Sequence, residues 1–191
     1  MTRRRGLTES DVIDAAITLV DAEGISALTL SRVARELGVK PPSLYNHVAR
    51  LDTLRRDVGL QAVNVLADKL RAAAMGRAGQ DALRAISAEF RSYANAHPNL
   101  YELSTEARPD DEEYSRAAFR AVEPVVAILH GYDLDEEEAI HAARALRSAL
   151  HGFVSLEIVG GFGLDVDVDT SFEWLVERLT ETLGSFSASN R

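Results

Sequence analysis

The chain has no cysteine, which excludes disulfides, zinc–thiolate sites and thiol nucleophiles. Lysine is nearly missing too: Lys40 and Lys69 stand alone against 19 arginines, a usage that speaks of a GC-rich genome and not of mechanism. Proline is limited to 5 residues, so there are few obligatory helix breaks. β-Branched residues do not gather in alternating runs, which argues against sheets. No apolar run approaches the ~20 residues that span a bilayer, and MTRRRGLTESD lacks the apolar stretch of a secretory signal. The expectation is a cytoplasmic protein with no membrane association. Ala, Leu, Arg and Glu dominate, and 46% of the chain is hydrophobic against 27% charged. That composition predicts a globular, all-α protein, and 191 residues suffice for one or two domains with a real core.

The net charge of −9 is unevenly spread. Residues 1–60 hold 9 Lys+Arg against 8 Asp+Glu, whereas residues 61–191 hold 12 against 22. Nearly all the excess acid lies outside the first segment, which also begins with Arg3, Arg4 and Arg5. A nucleic-acid-contacting head on an acidic body fits this asymmetry; a solvated basic tail fits it as well.

Thr8 and Asp11 are spaced to cap a first helix, which buries Val12, Ala15, Ala16, Leu19 and Val20 and ends at Gly24. Thr29 caps a second helix that stops at Gly38. Pro41 and Pro42 suit the first turn of a third, where N–H groups have no internal partner. A fourth helix is predicted from near Asp52 to about Met75. Beyond a break at 76–80 come helices from Asp81 to His97, around Asn99–Ser104, and from Pro109–Glu113 to His130, with Pro124 expected to kink the last or restart it. Asp135 opens a long helix to Ile158, residues 160–169 form a loop, and Thr170 with Glu173 is spaced as a capping box for the final helix.

The segment Leu30–His47 carries the most information. Two short helices around a tight turn make one rigid corner, of a kind that lays its second helix in the DNA major groove. The first carries the apolar stripe Val33, Ala34 and Leu37. The second carries Lys40, Ser43, Tyr45, Asn46 and His47, all able to hydrogen-bond or stack. Other chemistry is poorly supported. Glu138 and His141 form one Glu-x-x-His step where a di-iron bundle needs two. Asp165, Asp167 and Asp169 alternate like a calcium loop, but Thr170 replaces its Gly and Val176 its closing Glu. Gly160–Gly163 lacks the following Lys-Ser/Thr of a phosphate loop, and no Ser stands in a nucleophile elbow. The expectation is no enzyme, no cofactor, no metal and no catalytic residue.

From Thr8 to about Leu66 the chain resembles the DNA-binding domain of the tetracycline-repressor (TetR) family of bacterial regulators. The matching residues are Ala15–Ala16–Leu19, Gly24, Leu28–Thr29–Leu30, Val33–Ala34, Leu37–Gly38–Val39, Ser43–Leu44–Tyr45–Asn46–His47 and Leu54. Leu150–His151–Gly152–Phe153, followed by Glu157 and Phe172–Trp174–Leu175, is similar to a subset whose C-terminal domain is named for a Trp-His-Gly motif; Leu150 stands where the Trp would be. The resemblance implies a helix-turn-helix head over residues 1–52, a helical body over 53–191, a homodimer, and repression relieved by a small effector. Many members place a lysine at the start of the fourth helix. This chain has Leu51 there, so the phosphate-gripping role moves to Arg50 and the turn N–H groups.

On that basis Arg3, Arg4 and Arg5 are expected to form an arm on the backbone or minor groove. Thr29, Tyr45 and His47 would bond phosphate. Lys40, Ser43 and Asn46 would read base edges, and Pro41 and Pro42 would offer apolar contact to a thymine methyl. Tyr45 has the alternative of packing on the first helix, and His47 of packing under the fourth. In the body, Tyr93, Tyr101, Phe119, His151 and Trp174 are candidates for an effector pocket. Leu146, Leu150, Leu175, Leu179 and Leu183 are candidates for a four-helix dimer interface built from the last two helices of each chain. The expected partners are double-stranded DNA carrying a palindromic operator, a small molecule of unknown identity and a second copy of the chain. A ferritin-like metal protein, or a DNA-binding protein without an effector, are the competing readings.

Overall fold

The computed structural model describes residues 6–132 and 134–189, and all regular structure among them is helical. Eight α-helices are present among these residues: α1 (Glu9–Glu23), α2 (Leu30–Glu36), α3 (Leu51–Ala74), α4 (Gly79–Ala96), α5 (Pro98–Ser104), α6 (Glu112–Leu129), α7 (Glu136–Ile158) and α8 (Val168–Ser189). Short 3-10 segments cover Ile25–Ala27, Pro41–Asn46 and His130–Tyr132. The chain folds as two compact units, residues 1–63 with 97–109, and residues 64–96 with 110–191. The first unit keeps the opening turns of α3 and takes back α5 from further along the chain.

In the first unit the start of α1 is fixed locally. The Thr8 hydroxyl accepts the Asp11 N–H at 3.2 Å, and the Asp11 carboxylate accepts the Thr8 N–H at 2.8 Å. This reciprocal cap satisfies two donors that a helix start otherwise leaves orphaned. The α2 turn closes with the Gly38 N–H on the Arg35 carbonyl and the Val39 N–H on the Ala34 carbonyl. That pairing requires a left-handed residue, and Gly38 supplies it at φ +65. One core joins α1, α2, α3 and α5 through Val12, Leu19, Val33, Leu44, Leu54 and Leu100, among others. Asn99 donates to the Asp21 carbonyl at 3.2 Å, and His97 Nδ1 lies 2.8 Å from the Asp21 carboxylate. These bonds attach α5 to the end of α1.

The third element of the head is a 3-10 helix, where the sequence predicts an ordinary short helix. Two consecutive prolines remove two N–H donors, and the six-residue segment is short enough for the tighter winding. Its bonds run Ser43 N–H to Lys40 C=O, then His47 and Val48 N–H both to Leu44 C=O.

In the second unit α4 packs against α6, α7 and α8. Asp135 and Glu138 cap the start of α7 reciprocally at 2.9 and 3.0 Å. The start of α8 departs from expectation. Asp167, not Thr170, is its cap: the Asp167 carboxylate accepts both the Thr170 N–H and its hydroxyl, each at 2.6 Å. A carboxylate at a helix start gains from the positive end of the dipole, which a hydroxyl does not match. The two bonds from Thr170 also hold the Asp167 carboxyl below its ordinary value. Pro124 is carried inside α6 without a restart.

Candidate functional site

Leu44 and Val48 are buried in the head's core, while Lys40, Pro41, Pro42, Ser43, Tyr45, Asn46 and Arg50 are exposed and His47 is half-buried. One short segment thus anchors itself inward and offers a polar face outward. Tyr45 is 59% exposed, so it is not packed on α1 as its alternative reading required. Thr29 is exposed and caps α2, accepting the Arg32 N–H at 3.2 Å through its hydroxyl oxygen; the hydroxyl hydrogen remains a donor. Arg3, Arg4 and Arg5 lie outside the described residues.

Not every cation near this face is available to DNA. Arg32 is paired with Glu23 at 2.5 Å. Arg55 donates from Nε to Glu106 at 2.9 Å and makes a second bond to the same carboxylate through Nη2. Burial would raise the Glu106 carboxyl, but hydrogen bonds from Arg55 and Arg108 outweigh it and hold that carboxyl below its usual range. Lys40, Arg50 and Arg35 carry no ion pair to a described residue. Arg35, exposed on the last turn of α2, was not singled out by the sequence pattern. An arginine on an exposed helix face has no sequence signature of its own.

The expected effector residues differ in burial. Tyr93 is buried in the second unit, Tyr101 is buried in the first unit on α5, and Phe119, His151 and Trp174 are exposed. Of the expected interface leucines, Leu146 and Leu150 are already buried in the protomer's own core, while Leu175, Leu179 and Leu183 are half-buried.

The second unit instead has a groove of about 740 Å³ lined by none of those aromatics. Arg84, Ala88, Arg91, Ser92 and Asn95 form one wall on α4, and Asp169, Phe172, Glu173, Val176 and Glu177 form the other on α8. Glu157, near the end of α7, closes it. Arg91 donates to Glu157 at 2.8 and 2.5 Å and to Asp169 at 2.6 Å. Its guanidinium also lies 4.8 Å from the Phe172 ring centroid, within cation–π range. The Arg91 bonds hold the Glu157 carboxyl below its ordinary value against the opposing effect of burial, and the same bonds raise Arg91.

This node should be read out by acid. Side-chain exposure is 15% for Arg91 and 19% for Glu157, so removing one partner strands the other in a poorly solvated place. Arg91→Ala is expected to cost about 2–4 kcal/mol at pH 7; Asp169, largely exposed, adds little. A carboxyl depressed on folding contributes stability above its unfolded value, here 4.5, and loses it as pH falls through the lower folded value. Urea titrations at pH 7 and pH 3.5 should therefore show a smaller acid loss in Arg91→Ala than in wild type. Equal losses would mean the pair does not carry this share of the stability.

The family model described as bacterial regulatory proteins, tetR family, matches residues 12–47, and that described as tetracyclin repressor-like, C-terminal domain, matches residues 83–179. The chain is 40% identical over 181 residues to the HTH-type transcriptional regulator Rv0681 of Mycobacterium tuberculosis, covering 94% of this chain and 83% of that protein. The chain belongs to the TetR family. It is a helix-turn-helix transcriptional regulator of DNA-binding type, and the exposed 40–50 segment lies within and just beyond the matched N-terminal region. Among solved structures, the regulatory protein SCO4313 has a TM-score of 0.75 at 26% identity, covering 90% of this chain and 94% of that one. BioQ bound to its double-stranded DNA operator has a TM-score of 0.67 at 23% identity, covering 94% and 99%; at that identity the likeness is one of fold.

Proposed function

We propose that this TetR-family protein is a repressor that grips a palindromic operator as a homodimer and releases it when a small molecule binds the second unit. The observation that carries the reading is the 40–50 segment, pinned by Leu44 and Val48 with Ser43, Tyr45 and Asn46 facing outward. Lys40, Ser43 and Asn46 read base edges, with Pro41 against a thymine methyl. Thr29, Tyr45, His47 and Arg50 bond phosphate, which sets position without reading sequence. Arg35 joins them from α2, and Arg3, Arg4 and Arg5 supply an N-terminal arm. The protein acts in the cytoplasm, where the operator is, and no helix among the described residues is long and apolar enough to cross a membrane.

The test is fluorescence anisotropy with the DNA just upstream of the protein's own gene and with scrambled DNA. Asn46→Ala should lose about 1–3 kcal/mol of specific affinity while its affinity for scrambled DNA holds. Equal loss on both would remove Asn46 as a reader.

Two heads are needed because half-sites one helical turn apart, about 34–36 Å, are read by a twofold dimer. Exposed apolar side chains support an interface on α7 and α8. Of thirteen large ones among the described residues, four lie on these two helices, Ile140, Leu156, Ile158 and Trp174, and four more on the loop that joins them. Because Leu146 and Leu150 are spent in the protomer core, Leu156 and Trp174 take their place in this interface.

A further inference from the structure

We infer that the groove between α4 and α8 is a site for an amphipathic organic cation, a positively charged centre carried on an apolar body; as the identity of the effector, this rests on the ligand-release reading above. Its walls hold four carboxylates against two guanidiniums. Arg91 is closed to an anion, whereas Arg84 is held only by weak contacts at the surface. Arg91 is bonded by Glu157 and Asp169 at 2.5–2.8 Å and lies over Phe172, and Arg84 turns to Asp81 at 3.5 Å and Gln80 at 3.3 Å. An anionic ligand would have to displace bonded carboxylates and approach unpaired ones.

A cation meets the opposite situation. Glu173 has no ion-pair partner among the described residues, and Glu177 has only the adjacent, half-exposed Arg178 at 3.2 Å. The two carboxylates stand one turn apart on α8, where like charges repel, and a cation seated beside both relieves that repulsion. Phe172 and Val176 are almost fully buried and lie one step from them along the same helix. Together with Ala88 across the groove, they give the ligand's body an apolar floor. A volume near 740 Å³ falls within the range of small-molecule sites.

The probes are tetraphenylphosphonium and tetraphenylborate, which share a shape and differ in sign. Calorimetry on the full-length protein should give tetraphenylphosphonium at least about tenfold tighter binding, weakening with added salt. Glu173→Gln and Glu177→Gln should each weaken it by roughly three- to tenfold, with urea midpoints unchanged because both side chains are exposed. Glu112→Gln, which removes the same charge from an exposed position outside the groove, should bind as wild type does. Preference for the borate, failure of both ions to bind, or undiminished binding by both α8 variants would each overturn the inference. Release from DNA is read separately. A protein that takes up the cation through Glu173 and Glu177 yet stays on its operator keeps this site and refutes its role as the effector switch.

Discussion

Leu44→Ala should lower the stability of the first unit by about 2–5 kcal/mol, and Leu44→Asp should leave that unit unfolded. Leu44 is 0% exposed and meets α1, α2, α3 and α5 in one core. Its carbonyl also accepts two N–H groups, from His47 and Val48, so the side chain and the backbone hold the same turn. Truncation leaves a cavity under the reading face; a carboxylate there would be buried without a partner. Tyr45→Ala next door is the contrast. Its side chain is exposed, and its removal should shift stability by no more than about 0.5 kcal/mol while weakening DNA binding. Urea unfolding followed by circular dichroism, with anisotropy on the same samples, separates the two. A Leu44→Asp protein with a wild-type urea midpoint would show that the corner is not anchored this way.

The contrast between neighbours explains what could be read in the sequence. Caps are legible where their chemistry is local: Thr8 and Asp11, three residues apart, form the reciprocal cap their spacing predicts, and Asp135 opens α7 as expected, with Glu138 adding a reciprocal bond that the sequence reading does not include. Gly24 and Gly38 end helices at φ +88 and +65, where a Cβ is strained. The all-helical class followed from composition for the same reason. At α8 Asp167 and Thr170 both satisfy a cap pattern, and the structure uses the charged acceptor.

What was lost depends on distance and on helix phase. Arg91 finds Glu157 and Asp169 across 66 and 78 residues, and α5 joins the first unit through Asp21, similarly far away. No local pattern announces such pairs. For Phe119 and Trp174 the matter is helix phase. Phe119 lies two residues from buried Ala117, and Trp174 two from buried Phe172; two residues are about 200° round a helix, which turns both rings outward. Leu146 and Leu150 show the reverse phase. They share the buried stripe of Ala139, Ala143 and Val154, so their register is that of the protomer's own core.

That same phase argument selects the variants that should break the dimer. Leu156→Glu and Trp174→Glu are expected to leave each protomer folded and to abolish self-association. Their side chains are 50% and 63% exposed, so the protomer loses little packing, and each new carboxylate would be desolvated against apolar surface at a twofold interface, where it appears twice. Leu179 and Leu183 are less informative sites because both are half-buried, and a charge there attacks the protomer together with the interface. With the dimer gone, the second head no longer binds at the high effective concentration that linkage gives it, so affinity for a two-half-site operator should fall by about 10²–10⁴. Affinity for an isolated half-site should not change, because the reading face is untouched. Sedimentation equilibrium and anisotropy on whole and half operators measure both quantities. Intact dimers in both variants would take α7 and α8 out of the interface; monomers that still hold the whole operator at wild-type affinity would refute the two-headed mechanism itself.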